Sequence, residues 1–351
     1  MKRAIVPFFI AHQGCPHQCV FCDQKAITGS SGSLPAAEEL LSAISEWRRT
    51  ASAESVEVAF YGGSFTLLPR EQQERLLQPL QPLLRSGEVS TVRLSTRPDA
   101  LDIESARFLR DSGVSLVELG VQSMDDRVLA LSGRGHQSRD TVKAISLLRA
   151  AGLKVGAQMM PGLPGESTAG AVASFRKILS LGPDLLRIYP AVVLKGTELA
   201  RMYQTGSYRP LSLQETVNIC KVMLHDAALA GIPVIRVGLQ PTDDLSNGSN
   251  IIAGPYHPAF RQLARGECWF DLLQLLTKEI KSGSRLTINS SRTEVSDVVG
   301  QKRENIIRLE RITGTTVAGV SGDDSLLAGR ISVTVDEKRI HGDILRDLTY
   351  P

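Results

Sequence analysis

Three of the five cysteines, Cys15, Cys19 and Cys22, fall within eight residues in Gly14-Cys15-Pro16-His17-Gln18-Cys19-Val20-Phe21-Cys22-Asp23. Thiolate is the form of cysteine that binds metal, and three thiolates this close repel one another unless a shared cation neutralises them. Two metal chemistries suit the C-x3-C-x2-C spacing. A zinc site wants four ligands and would have to recruit His12 or His17. An iron–sulfur cube offers four irons, each wanting a ligand, so three cysteines leave one iron open. Cys220 and Cys268 lie far downstream and alone, where a cysteine usually serves packing.

Such a loop needs a frame. Before it, Ala4 to Ile10 reads as a first strand. The apolar run after Lys2-Arg3 is too short for a signal peptide. Leu34 to Thr50 has helical spacing, with Leu40, Leu41, Ile44 and Trp47 on one side. Val56 to Tyr61 alternates like a strand and runs into Gly62-Gly63, where a ligand can approach the backbone closely. The repetition continues with helices at Arg70 to Ser86 (broken by Pro79 and Pro82), Ile103 to Ser112, Thr141 to Ala151 and Thr168 to Leu181. Between them lie strands at Thr91 to Thr96, Val114 to Gln122, Leu153 to Met160 and Leu185 to Tyr189. Regular β-α repetition implies a parallel sheet with helical crossovers. Six units make a partial (β/α)6 TIM-like barrel, whose chemistry belongs at the C-terminal strand ends. The cysteine loop, Gly62-Gly63, Arg97, Gln122, Gln158 and Tyr189 all stand there.

Glu118 and Gln122 lie four apart on one strand and share a face, as cofactor contacts or as buried core polar groups. Arg134 sits in the glycine-flanked stretch Gly133-Arg134-Gly135-His136, where a guanidinium can clamp a carboxylate bidentately. Met159, Met160 and the turn Pro161-Gly162-Leu163-Pro164-Gly165 would shape a pocket floor.

The cysteine spacing, with Phe21 just before the last cysteine, resembles the cluster loop of radical S-adenosylmethionine (SAM) enzymes. The resemblance implies a [4Fe-4S] cluster held by Cys15, Cys19 and Cys22, with SAM chelating the open iron. It also implies reductive cleavage of SAM to a 5′-deoxyadenosyl radical that abstracts hydrogen, with Phe21 against the adenine. Gly62 and Gly63 match the superfamily's glycine motif for the SAM amino group, and Gln158 is a candidate for the ribose. Ser95 to Asp99, Glu118 to Ser123, Arg134-Gly135-His136, Met160 to Gly165 and Leu186 to Ala191 narrow the likeness, and Lys195 to Leu199 and Tyr203 to Tyr208 continue it. Together these resemble the radical SAM domain of the Elongator catalytic subunit, which binds tRNA and modifies the wobble uridine. That implies an RNA substrate, an electron donor such as a flavodoxin or ferredoxin, and Arg97, Lys195 and Arg187 as SAM or RNA-phosphate contacts. An acyl-CoA loop like that of the Elongator subunit is not evident, so carboxymethylation as such is not expected.

Further on, Leu213 to Ala230 reads as a helix and Ile232 to Gln240 as strand-like. Asp243 to Asn250 is a polar loop, and Gly254 to Arg261 suits either a lid carrying His257 as proton donor or a rigid connector. Trp269 to Ile280 is amphipathic. After Ser282-Gly283-Ser284, Val295 to Val317 resembles the helix–loop–helix of a KH nucleic-acid domain. Gly300 stands at its first loop glycine and Arg303 replaces the second, leaving Lys302 and Arg303 as phosphate contacts. The expected domains are a barrel over 1–240, a connector over 241–282 and a small α/β domain over 283–351.

With 42% hydrophobic and 22% charged residues and a net charge of +3, the 351-residue chain is ordinary for a globular protein. The charge alone does not demand nucleic acid. No apolar run reaches the ~20 residues of a membrane span, and the isolated cysteines form no disulfide framework, so a cytoplasmic protein is expected. The rival functions are a radical SAM oxidoreductase for a small molecule, as in coproporphyrinogen oxidases, and an RNA-binding protein with a structural cluster.

Overall fold

Apolar strands separated by amphipathic helices can bury both sheet faces only if the helices cross over between parallel neighbours. The computed structural model describes residues 4–23, 33–239 and 250–351. It shows β1 (Ala4–Ile10), β2 (Val56–Gly62), β3 (Val89–Thr96), β4 (Val114–Gln122), β5 (Lys154–Met159), β6 (Leu185–Ile188) and β8 (Val234–Val237) in one open, curled sheet. Neighbours run in chain order and every pair is parallel. The half-barrel therefore has seven strands, one more than the six regular units. Val234–Val237, inside the stretch that reads as strand-like, is the extra one, and it joins β6 after a long approach rather than a regular β-α repeat. Pro7, which cannot donate to a ladder, sits in β1 at the sheet edge, where proline is tolerated.

Helix starts after the strands are fixed by side-chain caps. Asp125 accepts from the Arg127 and Val128 amides, Ser167 from Gly170 and Thr197 from Ala200. Each such cap stabilises by about 1 kcal/mol. The prolines at 79 and 82 split the helical stretch Arg70 to Ser86 into Arg70–Leu77, a single 3-10 turn and Gln81–Ser86, as the missing N–H groups require. After β6 the repetition lapses. A short β7 (Val193–Leu194) pairs antiparallel with β9 (Ile251–Ala253), and the helix Glu198–Gln204 follows β7.

The chain divides into two compact units, Met1–Leu211 with Ile232–Pro255, and Ser212–Gly231 with Tyr256–Pro351. In the second, helices Leu213–Leu229 and Phe260–Thr277 accompany a four-stranded sheet of order β11-β10-β12-β13. Its strands are β10 (Arg285–Ser290), β11 (Thr316–Gly322), β12 (Arg330–Val335) and β13 (Lys338–Asp343). Helices Val295–Val299 and Glu304–Thr313 stand either side of a left-handed turn, with Lys302 at φ 50° and Arg303 at φ 64°. Asn305 ties that turn down, its amide donating to the carbonyls of Gly266 (2.8 Å) and Val298 (3.2 Å). His257 Nδ1 accepts the Ala259 amide at 3.1 Å, a local role at the start of the long helix. Cys220 and Cys268 are buried, and burial pushes both thiols well up.

Lys2-Arg3 and positions 243–249 of the polar loop lie outside the described residues. Among the described residues no helix is long and apolar enough to cross a membrane.

Trp269 is 1% exposed and packs with Leu272, Leu273, Ile288 and Ile306. Trp269→Ala should lower stability by about 3–5 kcal/mol; a loss under 1 kcal/mol in equilibrium urea unfolding would contradict this packing.

Candidate metal centre

The cysteine loop leaves β1 in a tight hairpin-like turn. Gln13 donates to Ile10 O (3.0 Å) and Cys15 to His12 O (3.3 Å), with Gly14 in the left-handed region at φ 71°. The turn after β2 closes against it. Gly63 N–H donates to Ile10 O (3.1 Å) and Ser64 N–H to Gln13 O (2.8 Å). A Cβ on Gly63 would stand 2.0 Å from Gln13 O, and one on Gly14 would stand 2.3 Å from Ser64 O. The two glycines therefore let the cysteine loop and the β2 turn interlock. Gly62, at φ 95°, makes the turn. Cys15 Sγ lies 3.5 Å from Ser64 Oγ.

Two further braces hold the loop. Val20 N–H donates to Ser132 O (3.1 Å), and Leu199 N–H donates to Val20 O (2.7 Å). Phe21 packs against Val128, Leu163 and Ala191 on one hand and Val193, Leu199 and Tyr208 on the other. Tyr208 in turn donates to Gly162 O at 2.7 Å, tying the 193–208 excursion to the turn after β5. That turn is also held by Glu166, which accepts the Gly162 amide (2.9 Å) and the Ser123 hydroxyl (3.1 Å). Burial pushes the Glu166 carboxyl up to about 7 in spite of these donors.

All three loop cysteines are free thiols. Cys22 is pushed up to about 12 by burial and then by the charges of Cys19 and Cys15, with Arg134 acting the other way. Bare, this thiol stays protonated; ligation requires a cation that offsets both the burial and the mutual repulsion. Among the described residues no three His, Cys, Asp or Glu side chains are gathered as for a single ion, so the fit to a thiolate-ligated cluster rests on this donor set. His17 lies against the neighbouring loop, its Cδ2 2.4 Å from where a Gly135 Cβ would be.

Inside the barrel, four charges on four strands form a neutral ladder. Arg93 donates to Glu57 at 2.8 and 2.6 Å and to Glu118 at 3.3 Å. Arg187 Nε donates to the other Glu118 oxygen, and its Nη atoms donate to Tyr61 Oη (2.8 Å) and Tyr189 Oη (3.0 Å). Gly156 of β5 pairs with Glu118 on one side and Leu185 on the other, and a Cβ there would meet Leu185 Cδ1 at 2.7 Å and Glu118 Cγ at 3.0 Å. Burial pushes the Tyr61 phenol up to about 12. Removing one member would strand a buried charge, which costs about 3–5 kcal/mol. Glu118 is thus occupied by two guanidinium groups rather than held out to a cofactor, and Arg187 is a barrel-interior residue rather than a free cation.

Gln122 is buried with φ 69°, at a register shift in β4. Its Oε1 accepts from Gln158 Nε2 at 3.3 Å, which joins two of the expected cofactor contacts. Its Nε2 lies 3.1 Å from the Cβ position of Gly120, as does Arg134 Nη2. Arg134 Nη1 donates to Cys19 Sγ at 3.3 Å. Phe21, Gly63, Gln122, Arg134 and Gln158 therefore gather with the cysteines at the C-terminal edge of the sheet. His136 beside them is buried and neutral, pulled down to about 4 by burial and then by Arg134.

Arg97, expected as an RNA or SAM contact, is 3% exposed. It pairs with Asp99 at 3.0 and 2.9 Å and donates to Arg134 O, so it supports the loop from behind instead of meeting a phosphate. Lys195 is exposed, its backbone tied to Asn250 O (2.9 Å). Lys302 and Arg303 are exposed in the second unit. Sequence reasoning passed over Glu57, Arg93, Tyr61, Ser64 and Glu166. The signal for the first two was a lone charge inside an apolar strand buried on both faces.

A cysteine-bearing loop at the C-terminal edge of a curled parallel sheet, with this glycine turn beside it, defines a radical SAM fold, and the chain belongs to the radical SAM superfamily. Residues 9–178 match the family model of that superfamily, and residues 183–269 that of the radical SAM C-terminal domain. Uncharacterized protein MJ0486 of Methanocaldococcus jannaschii is 31% identical over 225 residues, 60% of this chain and 69% of that one. The tRNA uridine(34) acetyltransferase of Methanocaldococcus infernus is 35% identical over 154 residues, 42% of this chain and 29% of its own length. Elongator complex protein 3 of Danio rerio is 30% identical, over 48% of this chain and 34% of that one. The chain thus spans about a third of the length of these last two relatives. The solved structure of M. infernus Elp3 with an N-terminal deletion shares the fold, at TM-score 0.60 and 24% identity, covering 74% of this chain and 61% of that one.

Gly63→Ala should force the cysteine loop off the β2 turn. Stability should fall by about 1–3 kcal/mol, and iron uptake on anaerobic reconstitution should fall several-fold. Full iron uptake at unchanged stability would contradict the interlock.

Proposed function

We propose that this chain is a radical SAM enzyme that holds a [4Fe-4S] cluster on Cys15, Cys19 and Cys22 and acts on tRNA. The observation that supports the cluster most directly is three free cysteines in one braced loop, with a guanidinium against the Cys19 sulfur. When bound, the cluster and SAM together supply a carbon radical able to take hydrogen from an unactivated position. The residues of this chain orient and shield. Phe21, with Met160, Leu163 and Ala191 packed beside it, offers an apolar wall for the adenine. The Gly62-Gly63 turn brings backbone to the amino acid end of SAM, and Gln122 with Gln158 forms a linked amide pair suited to ribose hydroxyls. The charge ladder fills the barrel below, excludes water and fixes the Tyr61 and Tyr189 hydroxyls.

The tRNA substrate is supported by the similarity to proteins named tRNA uridine(34) acetyltransferase and Elongator complex protein 3. It is supported also by two exposed cations, Lys302 and Arg303, in the left-handed turn that precedes the helix Glu304–Thr313. Such a turn resembles the loop by which KH domains grip a single-stranded backbone. The electron comes from a one-electron donor of the flavodoxin or ferredoxin class, in the cytoplasm.

Anaerobically reconstituted protein with SAM, dithionite and total tRNA should release 5′-deoxyadenosine faster with tRNA than without, and nucleoside mass spectrometry should show one altered nucleoside. Release that a small-molecule extract stimulates and tRNA does not would overturn the RNA reading.

Lys302→Glu with Arg303→Glu should weaken tRNA binding about tenfold or more. The slope of log K against log salt should shrink by about 1.4, as two lost single-strand phosphate contacts require. Unchanged binding would remove this turn from the RNA interface.

A further inference from the structure

Arg134 is 6% exposed, and among the described residues no carboxylate pairs with it. Its Nη2 donates to Gly120 O, its Nη1 to Cys19 Sγ at 3.3 Å, and its Nε is buried without a partner. A buried guanidinium is costly unless an anion meets it. The group it meets is the sulfur of a cysteine that becomes a thiolate on ligation. Its position is built with care. Gly133 and Gly135 flank it in the left-handed region, its own amide donates to Leu129 O at 3.0 Å, and its carbonyl accepts from Arg97. Arg97 is itself fixed by two bonds to Asp99. Two arginines and an aspartate therefore place one N–H on one sulfur.

The geometry points to Arg134 as a positioning residue that donates an N–H···S hydrogen bond to Cys19 and thereby sets the reduction potential of the cluster bound there. Three thiolates leave a cluster anionic, and each added electron makes it more so. A fixed positive charge bonded to a ligand sulfur favours the reduced form and raises the potential, since hydrogen bonds to sulfur and net charge are the levers a protein has. This role is separate from clamping a SAM carboxylate, because it acts before SAM arrives. It rests on the cluster reading above.

The test is an EPR-monitored redox titration of the reconstituted full chain without SAM, with SAM affinity measured separately. Arg134→Met should lower the reduced-to-oxidised ratio at a given dithionite potential about tenfold, a 59 mV fall for a one-electron couple. Arg134→Lys, which keeps the charge, should recover most of that. Should Arg134→Met fail to retain a cluster, Asp99→Asn, which frees Arg97 and loosens the Arg134 backbone, should shift the midpoint the same way by less. A midpoint equal to wild type in Arg134→Met, with only SAM affinity reduced, would make Arg134 a carboxylate clamp and overturn the inference. So would an unchanged midpoint in Asp99→Asn where the Met variant holds no cluster. A wild-type chain without any cluster signal would instead overturn the reading beneath it.

Discussion

The cost of thiolate charge is the constraint that governs the cysteine loop. Three cysteine sulfurs in one short loop can ligate only as thiolates, and at Cys22 burial, then the charges of Cys19 and Cys15, oppose that form. The protein sets a buried cation against one sulfur and braces the backbone of the loop on both sides. Gly14 and Gly63 interlock two turns at contacts a single methyl group would break. Ser132 O and Leu199 N–H then hold Val20 from opposite neighbours. The parallel sheet supplies the platform, because β1 and β2 end side by side and deliver both turns to the same edge.

The barrel interior obeys the same electrostatic rule at greater depth. Glu57, Arg93, Glu118 and Arg187 alternate in sign across the sheet and sum to no net charge, so the floor beneath the site is polar without being an anion or cation trap. The phenols of Tyr61 and Tyr189 accept from Arg187 and so keep fixed orientations. Phe21, Gln122, Gln158 and Arg134, which we propose as cofactor contacts, stand at the rim instead.

Much of this was legible in the sequence, for identifiable reasons. The spacing of Cys15, Cys19 and Cys22 is a local property, and the alternation of apolar strands with helices survives as periodicity. The placement of Gly63, Gln122, Gln158 and Arg134 near the cysteines follows because a parallel sheet sends every strand end to one edge. What periodicity does not carry is pairing across the barrel. Nothing in the neighbours of Glu118 says that an arginine 69 positions on will reach across β5 to meet it. Arg97 reads as a rim charge until its bonds to Asp99 and Arg134 are seen. The pairing of the strand at Val234–Val237 with β6, and a second unit that borrows Ser212–Gly231 from between two pieces of the first, depend on contacts that a linear scan does not meet in order.

The central claim is that three thiols in one loop bind iron for SAM cleavage. Its most direct test replaces Cys15, Cys19 and Cys22 together by alanine, reconstitutes both proteins without oxygen, and measures iron and 5′-deoxyadenosine under dithionite. The account predicts about four irons per wild-type chain, almost none in the triple variant, and SAM cleavage by the wild type alone. A triple variant that keeps its iron and still cleaves SAM would contradict it.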